Sequence, residues 1–189
     1  MKIAAGFPDA DRAKVAALYW GAFGEKLGVV MGPEAKGIAF INRVLDPTHA
    51  ICALDDDDTL LGAAGFKTIK GALVGGDFGD LRAIFGTFGA CWRALLVSAL
   101  ERDTENARFL MDGIFVTPKA RGRGVGTALL DAICAEARSR SYSEVRLDVI
   151  DSNPRARALY ERTGFRAMGT VDLGPLRHVF GFRSATTMV

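Results

Sequence analysis

Residues 109–165 read FLMDGIFVTPKARGRGVGTALLDAICAEARSRSYSEVRLDVIDSNPRARALYERTGF. The segment Leu110 to Val116 is apolar and β-compatible, and Thr117-Pro118 ends it. Proline cannot donate to a sheet ladder and biases the residue before it to extended geometry, so a buried strand is expected to stop at Val116. Next comes RGRGVGT, Arg121 to Thr127, in which Gly122, Gly124 and Gly126 carry no Cβ and let the backbone approach a ligand. Downstream, Val125, Leu129, Ile133 and Ala137 fall on one face at i, i+4 spacing, with Leu130 and Cys134 beside them and Asp131, Arg138 and Ser139 turned away. A helix is therefore expected to begin inside the glycine loop.

A helix N-terminus gathers unpaired N–H groups and partial positive charge, and Arg121 and Arg123 add full charges beside it. The expected guest is a phosphate or pyrophosphate. A Walker loop is excluded, because it needs a lysine before its Ser/Thr and here Gly126 precedes Thr127. A dinucleotide fingerprint fits less well: the glycines recur every second residue and Thr127 stands where the third should be.

The second strand, Glu144 to Ile150, runs into a segment with marked helix ends. Asn153 suits the N-cap, Pro154 the first helical position and Gly164 the left-handed residue past the end. Ala156 and Tyr160 are four apart and share a face, so the small Ala156 leaves room beside a phenol.

This stretch resembles the core of the Gcn5-related N-acetyltransferases, the GNAT superfamily. The family's strand ending in Val-x-Pro and its Arg-x-x-Gly-x-Gly loop are matched by Val116, Pro118, Arg121, Gly124 and Gly126. Its second element is matched by Asn153, Ala156, Tyr160, Gly164 and Phe165. The resemblance implies an α/β fold with a mixed, mostly antiparallel central sheet, splayed core strands and flanking helices. It implies acetyl-CoA as co-substrate, with its pyrophosphate on Arg121, Gly122, Arg123, Gly124, Val125, Gly126 and Thr127. Its pantetheine arm would lie along the backbone of Ile114, Phe115 and Val116 like an added strand, with Asn153 and Ala156 as further contacts.

The whole chain, 189 residues at 49% hydrophobic and 24% charged, fits one domain. It divides into a substrate-side half (1–70), a helical insertion (71–108), the cofactor core (109–165) and closing strands (166–189). A net charge of +2 gives no reason to invoke nucleic acid or a membrane surface, and no run approaches the ~18 apolar residues of a membrane span. Cys52, Cys91 and Cys134 are scattered and lack CxxC spacing, which points to buried thiols, no metal site and a reducing cytoplasm. Association into a homodimer is left open.

Lys2 to Ala5 could open an edge strand, and Val15, Leu18, Tyr19, Ala22 and Phe23 keep helical spacing after Asp9 or Asp11. A second helix fits Pro33 to Leu45, with Ile38, Ile41 and Leu45 inward. Residues 50 to 70 read as a hairpin around Asp55 to Thr59, whose four aspartates lack the spaced ligands of a calcium loop and form a solvated turn. In the insertion, Gly71, Gly75, Gly76, Gly79, Gly86 and Gly89 make the first half bendable. Phe88, Cys91, Trp92, Leu95 and Ala99 follow a helical stripe, expected to be extra core or a wall over the acceptor. Two closing strands flank Gly174-Pro175.

Acyl transfer from a thioester to an amine needs a neutral amine, an oxyanion donor and an acid for the departing thiolate. Tyr160 is the expected acid. Asp148, five residues before Asn153, is expected as the base, by resemblance to ribosomal-protein N-terminal acetyltransferases with a glutamate at the end of this strand. Asp112 is the competitor, and a water relay needs neither. His49 and His178 lack any nucleophile pattern. The expected function is acetyl-CoA-dependent N-acetylation of a small-molecule or peptide amine; the alternative is a non-catalytic acyl-CoA-binding or regulatory domain.

Overall fold

The computed structural model describes residues 1–100 and 108–189. Residues 101–107 of the expected insertion, and the side chains of Ala99 and His178, lie outside the described residues. In chain order the elements are β1 (Lys2–Ala5), α1 (Arg12–Met31), α2 (Glu34–Val44), β2 (Ala50–Leu54), β3 (Leu60–Thr68), β4 (Gly71–Ala72) and α3 (Phe78–Leu100). There follow β5 (Phe109–Val116), α4 (Val125–Ser139), β6 (Val145–Ile150), α5 (Pro154–Arg162), β7 (Ala167–Asp172), α6 (Arg177–Phe180) and β8 (Ser184–Met188).

The strands form one open sheet in the order β1-β2-β3-β5-β6-β8-β7, with the short β4 added to β3. Every pairing is antiparallel except β5 with β6. The hairpin β2–β3 turns where Asp55 Oδ1 accepts from Asp57 N (3.0 Å) and Thr59 N (2.7 Å), so the aspartate run shapes a turn. The final strand, β8, inserts between β6 and β7, and the expected turn at Gly174-Pro175 carries α6 as well.

Each sheet face has its own core. On one, α4 lays Val125, Leu129, Leu130, Ile133 and Ala137 over Phe109, Met111, Leu147 and Val149. On the other, α1, α2 and α3 cover Ala50, Cys52, Leu60, Ala63 and Phe115.

The insertion departs from expectation. Gly86, at φ 71°, breaks α3 into two helical runs. Beyond it the stripe Phe88, Cys91, Trp92, Leu95 faces outward, and Phe88 is 93% exposed. It is not core packing, and Cys91 is not a buried thiol. The opposite face is held by Arg93, whose guanidinium donates to Gly89 O (3.0 Å) and Gly32 O (3.1 Å) and stacks 3.9 Å from the Phe85 ring centre. The kink resets the helical phase and this inward arginine selects which apolar stripe packs.

Candidate active site

The site begins where the sheet opens. Among the described residues β5 and β6 pair only at Phe109–Val145 and Leu110–Arg146. From Met111 onward the strands diverge, while β5 keeps its ladder with β3 as far as Val116. The edge of β5 that carries Ile114, Phe115 and Val116 thus faces a wedge-shaped gap, the geometry for pairing with an extended ligand.

At the end of that gap stands the glycine loop. Gly122 and Gly124 have φ of 78° and 80°, a left-handed backbone open to glycine at little cost. Gly124 is the N-cap of α4 and has no side chain, so the first N–H groups of Val125, Gly126 and Thr127 have no side-chain cap. Arg121 and Arg123 flank them, both exposed. Gly126 is small for a second reason: a Cβ there would lie 3.1 Å from Leu159 of α5, which seats the loop against the second helix. These features fit a pyrophosphate.

Helix α5 starts as its sequence signals indicate. Asn153 Oδ1 accepts from Ala156 N at 3.1 Å, Pro154 follows at the first position, and Gly164 takes φ 98° beyond the end. Tyr160 projects from this helix into the α4-side core, 5% exposed, with Phe165 at 6.1 Å between ring centres. Burial pushes its phenol up to about 12, so it stays protonated at neutral pH.

The other wall of the gap is on the α1 side. Between Met111 and Gly113 strand β5 bulges: Gly65 pairs with Gly113 and Phe66 with Met111, leaving Asp112 as the extra residue. The bulge turns both Asp112 and Gly113 toward α1. A Cβ at Gly113 would come 2.8 Å from the Phe23 ring, and Tyr19, Phe23 and Phe115 form an aromatic group with Tyr19–Phe115 and Phe23–Phe115 edge contacts at 5.7 and 6.3 Å. Asp112 keeps solvent access, with Lys67 and the backbone of Val74 acting on its carboxyl. Burial raises that carboxyl above the ordinary range, against their opposing pull. The same carboxylate adds to the burial that raises Tyr19.

Asp148 lies across the gap, two residues past Arg146 as Asp112 is two past Leu110. Leu147 and Val149 enter the α4-side core, so Asp148 faces the α1 side with its side chain 36% exposed. Thr187 Oγ1 and the Arg146 guanidinium engage its two oxygens. His49 is elsewhere, between Asp46 Oδ2 (2.8 Å) and Thr68 Oγ1 (3.0 Å), where it ties the start of β2 to the end of β3.

Sequence reasoning expected the loop, Asn153, Ala156 and Tyr160 at one site; in the structure Leu159 of α5 packs against Gly126 of the loop, and Tyr160 points into the α4-side core. It missed Tyr19 and Phe23, whose i, i+4 spacing reads equally well as plain core. It also missed the bulge, for which the one available signal is Asp112-Gly113 inside an otherwise apolar strand.

The profile of the acetyltransferase (GNAT) family matches residues 13–165. Among individual proteins, mycothiol acetyltransferase of Beutenbergia cavernae is 50% identical over 50 residues, covering 26% of this chain and 17% of its own length. Thialysine N-epsilon-acetyltransferase of Bos taurus is 35% identical over 63 residues, or 33% of this chain and 34% of that protein. The chain therefore aligns with about a third or less of these two relatives. Among solved structures, an N-acetyltransferase from Staphylococcus aureus Mu50 superposes over 100% of both chains with a TM-score of 0.67 at 15% identity, a likeness of fold. With the splayed strands, glycine loop and capped second helix already in place, the match over 13–165 establishes that this chain belongs to the acetyltransferase (GNAT) family.

Proposed function

We propose that this protein transfers an acetyl group from acetyl-CoA to a primary amine by direct attack on the thioester. What supports the reading is an unladdered β5 edge among the described residues, the uncapped N-terminus of α4, and the packing of Leu159, the chain neighbour of Tyr160, against Gly126 of the loop. Acetyl-CoA supplies the acyl thioester. The chain's residues supply the rest. The N–H groups of Val125, Gly126 and Thr127, with Arg121 and Arg123, hold the pyrophosphate, and the β5 edge from Ile114 to Val116 aligns the arm. Asn153 and Ala156 border it from α5.

A main-chain N–H of that edge donates to the thioester carbonyl and stabilises the charge that develops there. Tyr160 Oη–H donates its proton to the sulfur as the carbon–sulfur bond breaks. For the base, we favour Asp112 over Asp148. Asp112 lies on the α1 side at the bulge with its affinity for a proton increased by burial, whereas both oxygens of Asp148 are engaged by side chains. Asp112 first takes the ammonium proton, directly or through a water, so that the neutral amine attacks; after the carbon–nitrogen bond forms, the second proton leaves nitrogen to solvent and solvent reprotonates Tyr160. Asp148 then orders the opposite wall.

The mycothiol and thialysine acetyltransferases support an amine acceptor. A small molecule and a peptide amino group both stay within this reading, as does a reducing cytoplasmic setting. The alternative, a non-catalytic acyl-CoA-binding domain, needs the loop but gives no reason for the phenol of Tyr160. Acetyl-CoA binding measured by calorimetry, followed by thiol release with a panel of amines, tests the proposal. Binding without thiol release from any amine would favour the non-catalytic alternative.

A further inference from the structure

The face of α1 that looks onto the gap carries Tyr19, Phe23 and Lys26 at i, i+4 and i+7. Tyr19 is close enough to Asp112 to feel its charge, Phe23 lies over the Gly113 bulge, and Lys26 Nζ sits 5.2 Å from the Phe23 ring centre. At 1.5 Å per residue, Tyr19 and Lys26 are about 10 Å apart along the helix. The stripe therefore has an acid at one end, rings in the middle and a half-buried ammonium at the other.

Two other cations on this side have acids nearby. Lys67 acts on Asp112, and Arg146 lies 3.6 Å from Asp148. Lys26 makes no ion pair with a described residue; Glu25, its exposed neighbour in the chain, only partly offsets the burial that lowers the ammonium's hold on its proton. A partly desolvated cation without an acid is costly unless something fills that role.

We propose that Lys26 is a specificity-determining residue that binds a carboxylate on the acceptor, while the acceptor's amine lies at Asp112. This rests on the acetyltransferase reading and narrows its substrate class. The acceptor is an amine whose carboxylate stands at the far end of an apolar chain about as long as that of lysine. The methylenes of that chain lie along Tyr19 and Phe23. A simple diamine leaves Lys26 without its anion and places a second ammonium beside it, a like-charge contact that discriminates against polyamines.

Lysine and cadaverine, which is lysine without its carboxylate, make the test pair. Equilibrium binding to the full chain in the presence of CoA is measured by calorimetry, and acetylation of both amines is followed in parallel. The expected result is lysine binding tighter than cadaverine by about tenfold or more. Lys26→Gln should erase that preference by weakening lysine and relieving the like-charge contact with cadaverine, and Lys26→Arg should retain most of it, since the charge is kept. Equal or tighter binding of cadaverine, no measurable binding of lysine, or a Lys26→Gln loss shared equally by both amines would overturn the proposal. Acetyl-CoA binding without turnover of either amine counts against the acetyltransferase reading, and the lysine–cadaverine binding difference decides the role of Lys26 separately.

Discussion

Thr187 Oγ1 donates a 2.5 Å hydrogen bond to Oδ1 of Asp148 across the β6–β8 pair, and the Arg146 guanidinium lies 3.6 Å from the other oxygen. Both oxygens of Asp148 therefore already have partners within the protein. At Asp112, burial favours the protonated form. Asp112→Asn should therefore cost most of the activity at neutral pH and regain part of it at high pH, where the free amine needs no deprotonation. Asp148→Asn should lose a smaller factor that is the same at every pH. Profiles of kcat/KM against pH for both variants decide; a high-pH recovery confined to Asp148→Asn would return the base to β6.

The same carboxyl predicts a stability effect of the opposite sign. The folded-state affinity of Asp112 for a proton is raised above the unfolded value near 3.8, so between those two values the native state binds more protons than the unfolded one. Stability then falls as pH rises through that window, and the deficit persists at neutral pH. Asp112→Asn removes the charge that the cleft disfavours. It should raise the melting temperature at neutral pH while lowering activity, and the gain should shrink as the buffer approaches pH 4. A neutral-pH melting temperature below that of wild type would show that the carboxylate is structurally supported in its charged form.

What the sequence disclosed here follows from how local its causes are. Asn153, Pro154 and Gly164 act on their own helix, and Gly122 and Gly124 act on their own dihedral angles, so single positions announced these features. The pairing of Thr187 with Asp148 depends on β8 sliding between β6 and β7, a contact between residues 39 apart. No local pattern encodes it. The α3 stripe shows a second limit: periodicity reveals that one face is apolar, yet Arg93 and the Gly86 kink determine which face turns inward. The bulge at Asp112 is the third, because it arises from register between β3 and β5.

Gly124 offers a direct check on the phosphate loop. A Cβ at this position meets no heavy atom within 4 Å, so the protein itself has room for a side chain. The cost of Gly124→Ala is the φ of 80°, roughly 1–2 kcal/mol for an L-residue. Gly124→Val adds bulk over the uncapped N–H groups of α4, and acetyl-CoA affinity should fall by more than about tenfold beyond the alanine variant. Calorimetry on both variants, with circular dichroism to confirm a folded chain, measures this. Unchanged affinity in folded Gly124→Val would remove the loop from the cofactor site.

Tyr160 carries the chemical half of the proposal. Its shift to about 12 arises from burial alone, so the phenol is a neutral donor across the working pH range and contributes no limb to the rate profile. Tyr160→Phe keeps the ring against Phe165 and the α4-side core and removes the proton. Turnover should drop by ~10²-fold or more, the usual scale for a lost general acid, while acetyl-CoA affinity and melting temperature change little. A second reading separates acid catalysis from a change in packing. An acetyl thioester with a more acidic leaving thiol needs less proton donation, so such a donor should narrow the gap between Tyr160→Phe and wild type. If the deficit is the same for both donors, the phenol acts on position and not on the departing sulfur; if turnover is unaltered, Tyr160 belongs to the core alone.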